Sequence, residues 1–251
     1  MFILAIETTG PYGSVALLDE KGNVLGYQVS RGTMSHLKDL IPMVDTVLKK
    51  CGVSKNEIDL LAPSVGPGSF TGIRIGVSTA RALCQAFGIK AVPVPTLEAF
   101  RFKETAEAAG NGKRTAVCAI INARRGQVYG MIDGFMEPGP YMLTDVIEVY
   151  KSKMESDGWK LLFFGDGIDA YEKNIKEALG EPGPGSSAHF EFAPEADRYQ
   201  DAVSVGRWAA KRIRECAVDF EELLPDYMRR AEAEQKLESG ELPICRGPKQ
   251  E

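Results

Sequence analysis

Imidazole is scarce in this chain: His36 and His189 are the only two histidines in 251 residues. Neither has a second histidine at metal-ligand spacing. A hydrolytic triad would need a base beside a nucleophile, and no G-x-S-x-G elbow is present. His36 stands beside the apolar stripe of a predicted helix with Leu40 one turn on, the setting of a structural or interface histidine. His189 follows a glycine-proline loop and is expected in solvent. Three polar loops remain as candidates: Glu7-Thr8-Thr9, residues 66–71, and Gly165-Asp166-Gly167. Each follows a strand pattern, and two lead into helices, whose first N–H groups can receive phosphate. The corresponding chemistry is nucleotide binding, with Mg²⁺ held by Glu7 or Asp166, as in a small ATPase or sugar kinase. No G-x-x-x-x-G-K-[ST] follows any glycine cluster, so a Walker-type loop is absent. Glycine turns before helices also serve simply as turns.

The most informative stretch is Val65-Gly66-Pro67-Gly68-Ser69-Phe70-Thr71-Gly72-Ile73-Arg74-Ile75-Gly76. Ser69 is a good helix N-cap, and the apolar pattern runs on to Phe87. Within that helix Gly72, Gly76, Ala80 and Cys84 recur every fourth residue and line one face. Each mid-helix glycine costs about 1 kcal/mol relative to alanine, so two on one stripe imply a close approach to the backbone. A neighbouring helix, from this chain or another, would satisfy it; so would an internal helix–sheet contact. The spacing also marks helix dimers in membranes, but Arg74 and Arg81 exclude a lipid-embedded helix.

The elements that must position these loops follow from periodicity. Residues 2–6 and 14–18 read as strands around a turn at 8–13, and 24–29 as a third, so the chain opens on three antiparallel strands. Met34, Leu37, Ile41, Val44 and Leu48 repeat at helical spacing up to Gly52, with Pro42 expected to kink that helix. A short strand at 58–62 feeds the glycine loop, another spans 90–94, and Thr96 is expected to cap a helix starting at Leu97. Gly110-Asn111-Gly112-Lys113 is a polar break that places a lobe boundary within residues 101–112. The opening pattern then returns: a strand at 116–121, a turn at 122–126 and a strand at 127–133 echo residues 2–19. Helices over 143–154 and 168–179 flank a strand at 160–164. A flexible loop at 180–187 and a last helix over 205–216, capped by Asp201, follow. Two similar halves of alternating strands and helices predict an α/β protein with a cleft between lobes. The lobes are residues 1–101 and 102–201, with the last helix after them; 226–251 is a charged, partly ordered tail.

Composition is that of a soluble globular protein, 44% hydrophobic and 26% charged. A net charge of −5 and a pI near 5.3 argue against a broad basic surface for nucleic acid, leaving room only for a local patch. Cys51, Cys84, Cys118, Cys216 and Cys245 form no C-x-x-C pair. Cys84, Cys118 and Cys216 fall in apolar segments, as buried thiols in a reducing compartment would. The apolar start at residues 2–6 is too short for a signal peptide and runs into Glu7, and no run has the length of a transmembrane helix. The expectation is a cytoplasmic protein with no membrane contact.

Phe2-Ile3-Leu4-Ala5-Ile6-Glu7-Thr8-Thr9, Ser14-Val15-Ala16-Leu17, Ser35-His36-Leu37 with Leu40-Ile41-Pro42, and above all the run from Ser64 to Arg74, resemble the TsaB (YeaZ-type) family. That family is a bacterial subunit of the machinery making N6-threonylcarbamoyladenosine in tRNA. The match is dense over the first part of the chain and loose beyond it. The resemblance implies an actin-like fold of the ASKHA, ribonuclease-H-like type with mixed sheets, its last helix returning to the first lobe so that residues 202–225 join residues 1–101. It implies a subunit with no transferase activity and no cofactor of its own, paired with the catalytic sister TsaD and the ATPase TsaE. Such a subunit reaches tRNA through the complex, whose junction is the place for ATP or ADP. The family's pairing surface is built from its first two helices, here His36, Leu37, Leu40, Ile41, Ser69, Phe70, Gly72, Ile73, Gly76 and Ala80, which would supply a visitor for the small-residue stripe. Glu7, Thr8, Thr9, Gly165, Asp166 and Gly167 would be a vestigial nucleotide site.

Two departures bear on chemistry. The catalytic sister has an H-x-x-x-H metal pair where this chain has Thr96 and Phe100, which supply no imidazole nitrogen. Glu7, one methylene longer, stands where many relatives carry aspartate. Because apolar helix faces rarely stay bare, the chain alone is expected to form a weaker homodimer through the same surface. A small ASKHA-type ATPase or sugar kinase is the competing class; a peptidase finds neither triad nor metal pair.

Overall fold

The computed structural model describes residues 1–30, 32, 36–110, 114–182 and 189–228. The chain opens with strands β1 (Phe2–Glu7), β2 (Ser14–Asp19) and β3 (Val24–Val29). Helix α1 (His36–Cys51), strand β4 (Ile58–Gly66) and helix α2 (Phe70–Phe87) follow. Short strands β5 (Lys90–Ala91) and β6 (Val94–Pro95) lead to helices α3 (Thr96–Ala99) and α4 (Glu104–Gly110). A second series runs β7 (Thr115–Asn122), β8 (Gln127–Ile132), β9 (Met136–Met142), α5 (Leu143–Lys153), β10 (Lys160–Phe164), α6 (Gly167–Leu179) and β11 (Phe190–Phe192). Helices α7 (Glu195–Arg198) and α8 (Ala202–Cys216) come last.

The first sheet has the order β3-β2-β1-β4-β5, with β6 also on β4, and the second has β9-β8-β7-β10-β11. The two are the same arrangement. An antiparallel meander is extended, beside its first strand, by a parallel strand that arrives through a helix. Parallel neighbours cannot be joined by a tight turn, so a helix must cross over between them. The echo expected from one hairpin thus extends through a whole sheet.

Alternation along β1 and β2 decides which helices cover which face. Leu4, Ile6, Val15 and Leu17 pack with Val44, Val47, Ile73 and Val77 of α1 and α2. Ile3, Ala5, Ala16 and Leu18 pack with Val205, Trp208 and Ala209 of α8, which has returned from the second sheet to the first. Asp201 caps α8 as expected, its Oδ1 accepting from the Ser204 N–H at 2.8 Å.

Several local expectations change. Pro42 lies inside α1 without ending it, on the exposed side, where a backbone carbonyl left without its helical bond stays open to solvent. Thr96 does not cap a helix: Pro95 holds that position with no side-chain bond, and Thr96 Oγ1 instead donates to Thr9 Oγ1 at 3.3 Å. The start of the expected tail is packed. Leu223 is fully buried, the Asp226 N–H donates to the Val65 carbonyl at 2.8 Å, and Met228 sits against the cluster of Leu97 and Phe100. Residues 229–251, with Met34, Ser35 and residues 183–187 of the expected flexible loop, lie outside the described residues.

The two passages of chain between the sheets are tied together by Lys103. It is only 3% exposed, and its Nζ meets both Asp201 and, at 3.3 Å, Asp197. Asp197 also accepts from the Thr105 N–H at 3.1 Å. Deleting one partner of a buried ionic group leaves the others uncompensated, at a cost of about 3–5 kcal/mol. Lys103→Met should therefore lower the unfolding free energy by about that much in urea titrations. Lys90→Met, whose ion pair with Asp219 is exposed, should cost less than about 1 kcal/mol. Equal effects of the two substitutions would show that the buried group holds nothing together.

Candidate partner face and cleft

The helix start at Ser69 is built as its sequence indicates. Ser69 Oγ accepts from the Gly72 N–H at 3.2 Å, and the Ser69 N–H donates to the Thr9 carbonyl at 2.8 Å. Thr8 Oγ1 donates to the Gly72 carbonyl at 2.8 Å. A Cβ on Gly72 would overlap the Thr8 carbonyl oxygen, and one on Gly76 would overlap Thr8 Oγ1. The visitor that the stripe requires is therefore the end of β1, an internal helix–sheet contact, and not a partner's helix. This corrects the outward placement of Gly72, Ile73, Gly76 and Ala80, all of which are buried within the chain.

His36 and Leu40 are corrected likewise, at 2% and 1% exposure. His36 Nε2–H donates to the Gly10 carbonyl at 3.1 Å, and its ring fills the space a Cβ on Gly13 would need. Burial lowers the imidazole pKa, so the ring is a neutral packing group. Exposed on the same two helices are Leu37, at 80%, Ile41 and Phe70, with Ser69 half-buried. The Arg74 guanidinium lies 4.0 Å over the Phe70 ring, and its Nε donates to Tyr227 Oη at 3.0 Å. Tyr227 in turn stacks on Phe70 with ring centroids 4.8 Å apart. Tyr227 escaped the sequence reading because it follows Pro225 at the edge of a charged stretch. The apolar pair Leu223-Leu224 was the signal that this segment packs.

A cleft of about 730 Å³ opens where β1, β4, β7 and β10 end. Of the six residues expected at a nucleotide site, Thr9 and Asp166 line it; Glu7, Thr8, Gly165 and Gly167 do not. Glu7 is fully buried, and its Oε1 accepts from the Thr9 N–H, from Thr9 Oγ1 at 2.7 Å and from the Gly10 N–H at 3.3 Å. Burial raises its pKa, and the carboxyl is engaged by its own turn. A Cβ on Gly165 or Gly167 would crowd the Ile120 carbonyl, so these glycines let the start of α6 press on β7. Asp166 Oδ1 accepts from the Asn122 N–H at 3.1 Å, and burial pushes its carboxyl up to about 6. Thr96 and Phe100 are each 1% exposed, and Phe100 packs on Phe164 with ring centroids 5.8 Å apart. Those positions serve the core. Among the described residues no three His, Cys, Asp or Glu side chains converge as a metal site. The four described cysteines are free thiols; Cys84 and Cys118 are buried as expected, whereas Cys216 is only half-buried.

Comparison with known proteins bears on these positions. The family model described as TsaD, tRNA N6-adenosine threonylcarbamoyltransferase, matches residues 30–237. The tRNA threonylcarbamoyladenosine biosynthesis protein TsaB of Bacillus subtilis (strain 168) is 30% identical over 246 residues, which is 94% of this chain and 97% of that one. The chain belongs to the TsaB family. TsaB of Escherichia coli (strain K12) is 37% identical over 129 residues, 51% of this chain and 53% of its own length. The solved structure of YeaZ from Pseudomonas aeruginosa superposes with a TM-score of 0.64 at 24% identity, covering 90% of this chain and 99% of that one. The fold is the actin-like ASKHA architecture, with mixed sheets as expected. Within a TsaB chain the glycine motif then has a definite structural task, the docking of α2 on Thr8.

Two outcomes follow. Gly76→Glu drives a carboxylate into Thr8 and should unfold the chain, seen as loss of the cooperative melting transition. For Asp166 the folded pKa lies above the unfolded value, so its stabilising effect is complete below the unfolded pKa and is lost as pH rises through about 6. The stability of Asp166→Asn relative to the natural chain should therefore grow by up to about 3 kcal/mol between about pH 4 and about pH 8. A pH-independent difference would contradict the burial of this carboxyl.

Proposed function

We propose that this TsaB-family chain serves tRNA threonylcarbamoyladenosine formation as a non-catalytic partner subunit. It binds the catalytic sister TsaD and activates it for threonylcarbamoyl transfer to the adenosine beside the anticodon, with TsaE as the ATPase of the same complex. The observation that carries this reading is the exposure of Leu37 and Ile41 on α1 and of Phe70 at the start of α2, with Leu37 at 80% the most exposed large apolar side chain among the described residues. Large apolar side chains grouped on one face mark a protein contact. The neighbouring Arg74 and Tyr227 are of the residue types that dominate binding energy at such contacts. A second copy of the chain covers the same face, more weakly, when the partner is absent. The packing of Thr96 and Phe100 supports a subunit without transfer chemistry of its own, and the engagement of Glu7 by its own turn disfavours a metal-dependent kinase. Any ATP or ADP required by the complex would sit where the subunits meet.

The test is tRNA modification in vitro with TsaD, TsaE and a threonylcarbamoyl-adenylate supply, with and without this chain. Modification should require both this chain and TsaD. Ile41→Glu, at an exposed position, should keep the melting temperature while weakening the pair with TsaD by about tenfold or more. Modification by this chain without TsaD would overturn the non-catalytic assignment. Unchanged affinity of Ile41→Glu would remove this face from the interface.

A further inference from the structure

The outermost strand of a β-sheet leaves backbone groups that another strand can take, and proteins blunt such edges with proline, charge, shortness or a covering segment. Of the four strands that end the two sheets here, three are blunted. Strand β5 has two residues, and Val218 closes on Ala91 through a pair of backbone bonds. Strand β9 carries Pro138 and Pro140, and β11 has three residues with Glu191 in the middle. The edge at β3 has none of these devices. It reads Val-Leu-Gly-Tyr-Gln-Val over six residues, with neither charge nor proline, and among the described residues no strand lies beyond it.

Antiparallel alternation decides which of its backbone groups are free. The Ser30 N–H donates to the Gly13 carbonyl at 2.8 Å, so Gln28 opposite Val15 and Gly26 opposite Leu17 also bond inward to β2. Tyr27 and Val29 then turn their N–H and carbonyl groups outward. The Val29 carbonyl is met there by a side chain, the Gln28 Nε2–H donating to it at 3.1 Å. Tyr27 stands opposite Ala16, whose side chain faces α8, so Tyr27 and Val29 share that face of the sheet. Both are exposed, as are Val24 and Leu25. The other face of β3 is backed by α1, whose Cys51 and Val47 leave no room for a side chain at Gly26.

We infer that β3 is a self-pairing edge: two copies of this chain join β3 to β3, antiparallel, about a two-fold axis at Gln28. In that register Tyr27 of each copy exchanges backbone bonds with Val29 of the other. The two side chains form an aromatic and β-branched cross-strand pair, made twice. The strand itself suits a second copy as the occupant. It has no charge, so identical strands meet without like charges opposed, and Gln28 on the axis has an amide that both donates and accepts. Tyr27 and Val29 lie on the α8 side of the first sheet, whereas α1 and α2 cover its other face. The inference therefore stands or falls separately from the pairing with TsaD.

The experiment is sedimentation equilibrium on the full chain without partners, joined to hydrogen exchange at high and low protein concentration. The natural chain should associate reversibly to a dimer. Tyr27→Lys places a charge in the cross-strand pair, and Val29→Pro removes an outward N–H while keeping the bonds to β2. Each should weaken the dimer by about tenfold or more, with the cooperative melting transition and the affinity for TsaD retained. Ile41→Glu, on α1, should leave this dimer unchanged. The Tyr27 and Val29 amides should be protected at high concentration and exchange quickly at low concentration, whereas the Gln28 amide, bonded to β2, is slow at both. The inference is overturned if the chain is monomeric throughout, or if Ile41→Glu abolishes the dimer while Tyr27→Lys and Val29→Pro keep it. Protection of the Tyr27 and Val29 amides that does not change with concentration would also overturn it, by assigning the edge to a cover from within the same chain.

Discussion

The contact of Thr8 with the backbone of α2 fixes the orientation on which the rest of the molecule depends. Gly72 and Gly76 each sacrifice about 1 kcal/mol of helix propensity, and in return β1 reaches α2 closely enough for Thr8 Oγ1 to bond the Gly72 carbonyl. The Ser69 amide closes the same junction on the Thr9 carbonyl. One rotation of α2 about its axis satisfies this contact. In that rotation Val77, Ala80 and Cys84 go to the core, while Phe70, Arg74 and Ser78 go outward. The core, the rim of the cleft and the exposed face are thus consequences of a single close approach.

How much of this was legible depends on whether each signal was local. The glycine stripe declared a close contact, but a glycine records only that room is needed, not which atoms fill it. Hence the end of β1 replaced the partner helix at Gly72 and Gly76, and Ala80 went to the core. The internal repeat was visible as one hairpin because β7, its turn and β8 follow the same strand–turn–strand order of apolar runs as β1 and β2. Its third strand, β9, was hidden by Pro138, Gly139 and Pro140, which argue against a strand but are tolerated at the sheet edge where β9 lies. Thr96 carried the signature of a helix cap, and a tertiary partner, Thr9, took its hydroxyl instead. Lys103 and its aspartates are remote in sequence, and no short-range pattern announces such a group.

Family and fold constrain function unequally. The actin-like architecture is shared by proteins of many activities, so activity must be argued from the site. Here Thr96 and Phe100 are packing groups, each almost fully buried. The loop carboxyl Glu7 is enclosed by its own turn. Among the apolar side chains left exposed are Leu37 and Ile41 on α1 and, on α2, Phe70 packed with Arg74 and Tyr227.

Hydrogen exchange of this chain, alone and with TsaD, tests the proposed pairing most directly. The account predicts added protection in the first turns of α1 around Leu37 and Ile41, in the first turn of α2 around Phe70, and in the segment carrying Tyr227. Amides along the buried stripe from Gly76 to Cys84 should be protected equally in both states. Protection confined to β3, whose Leu25, Tyr27 and Val29 are also exposed, with α1 and α2 unchanged, would contradict it.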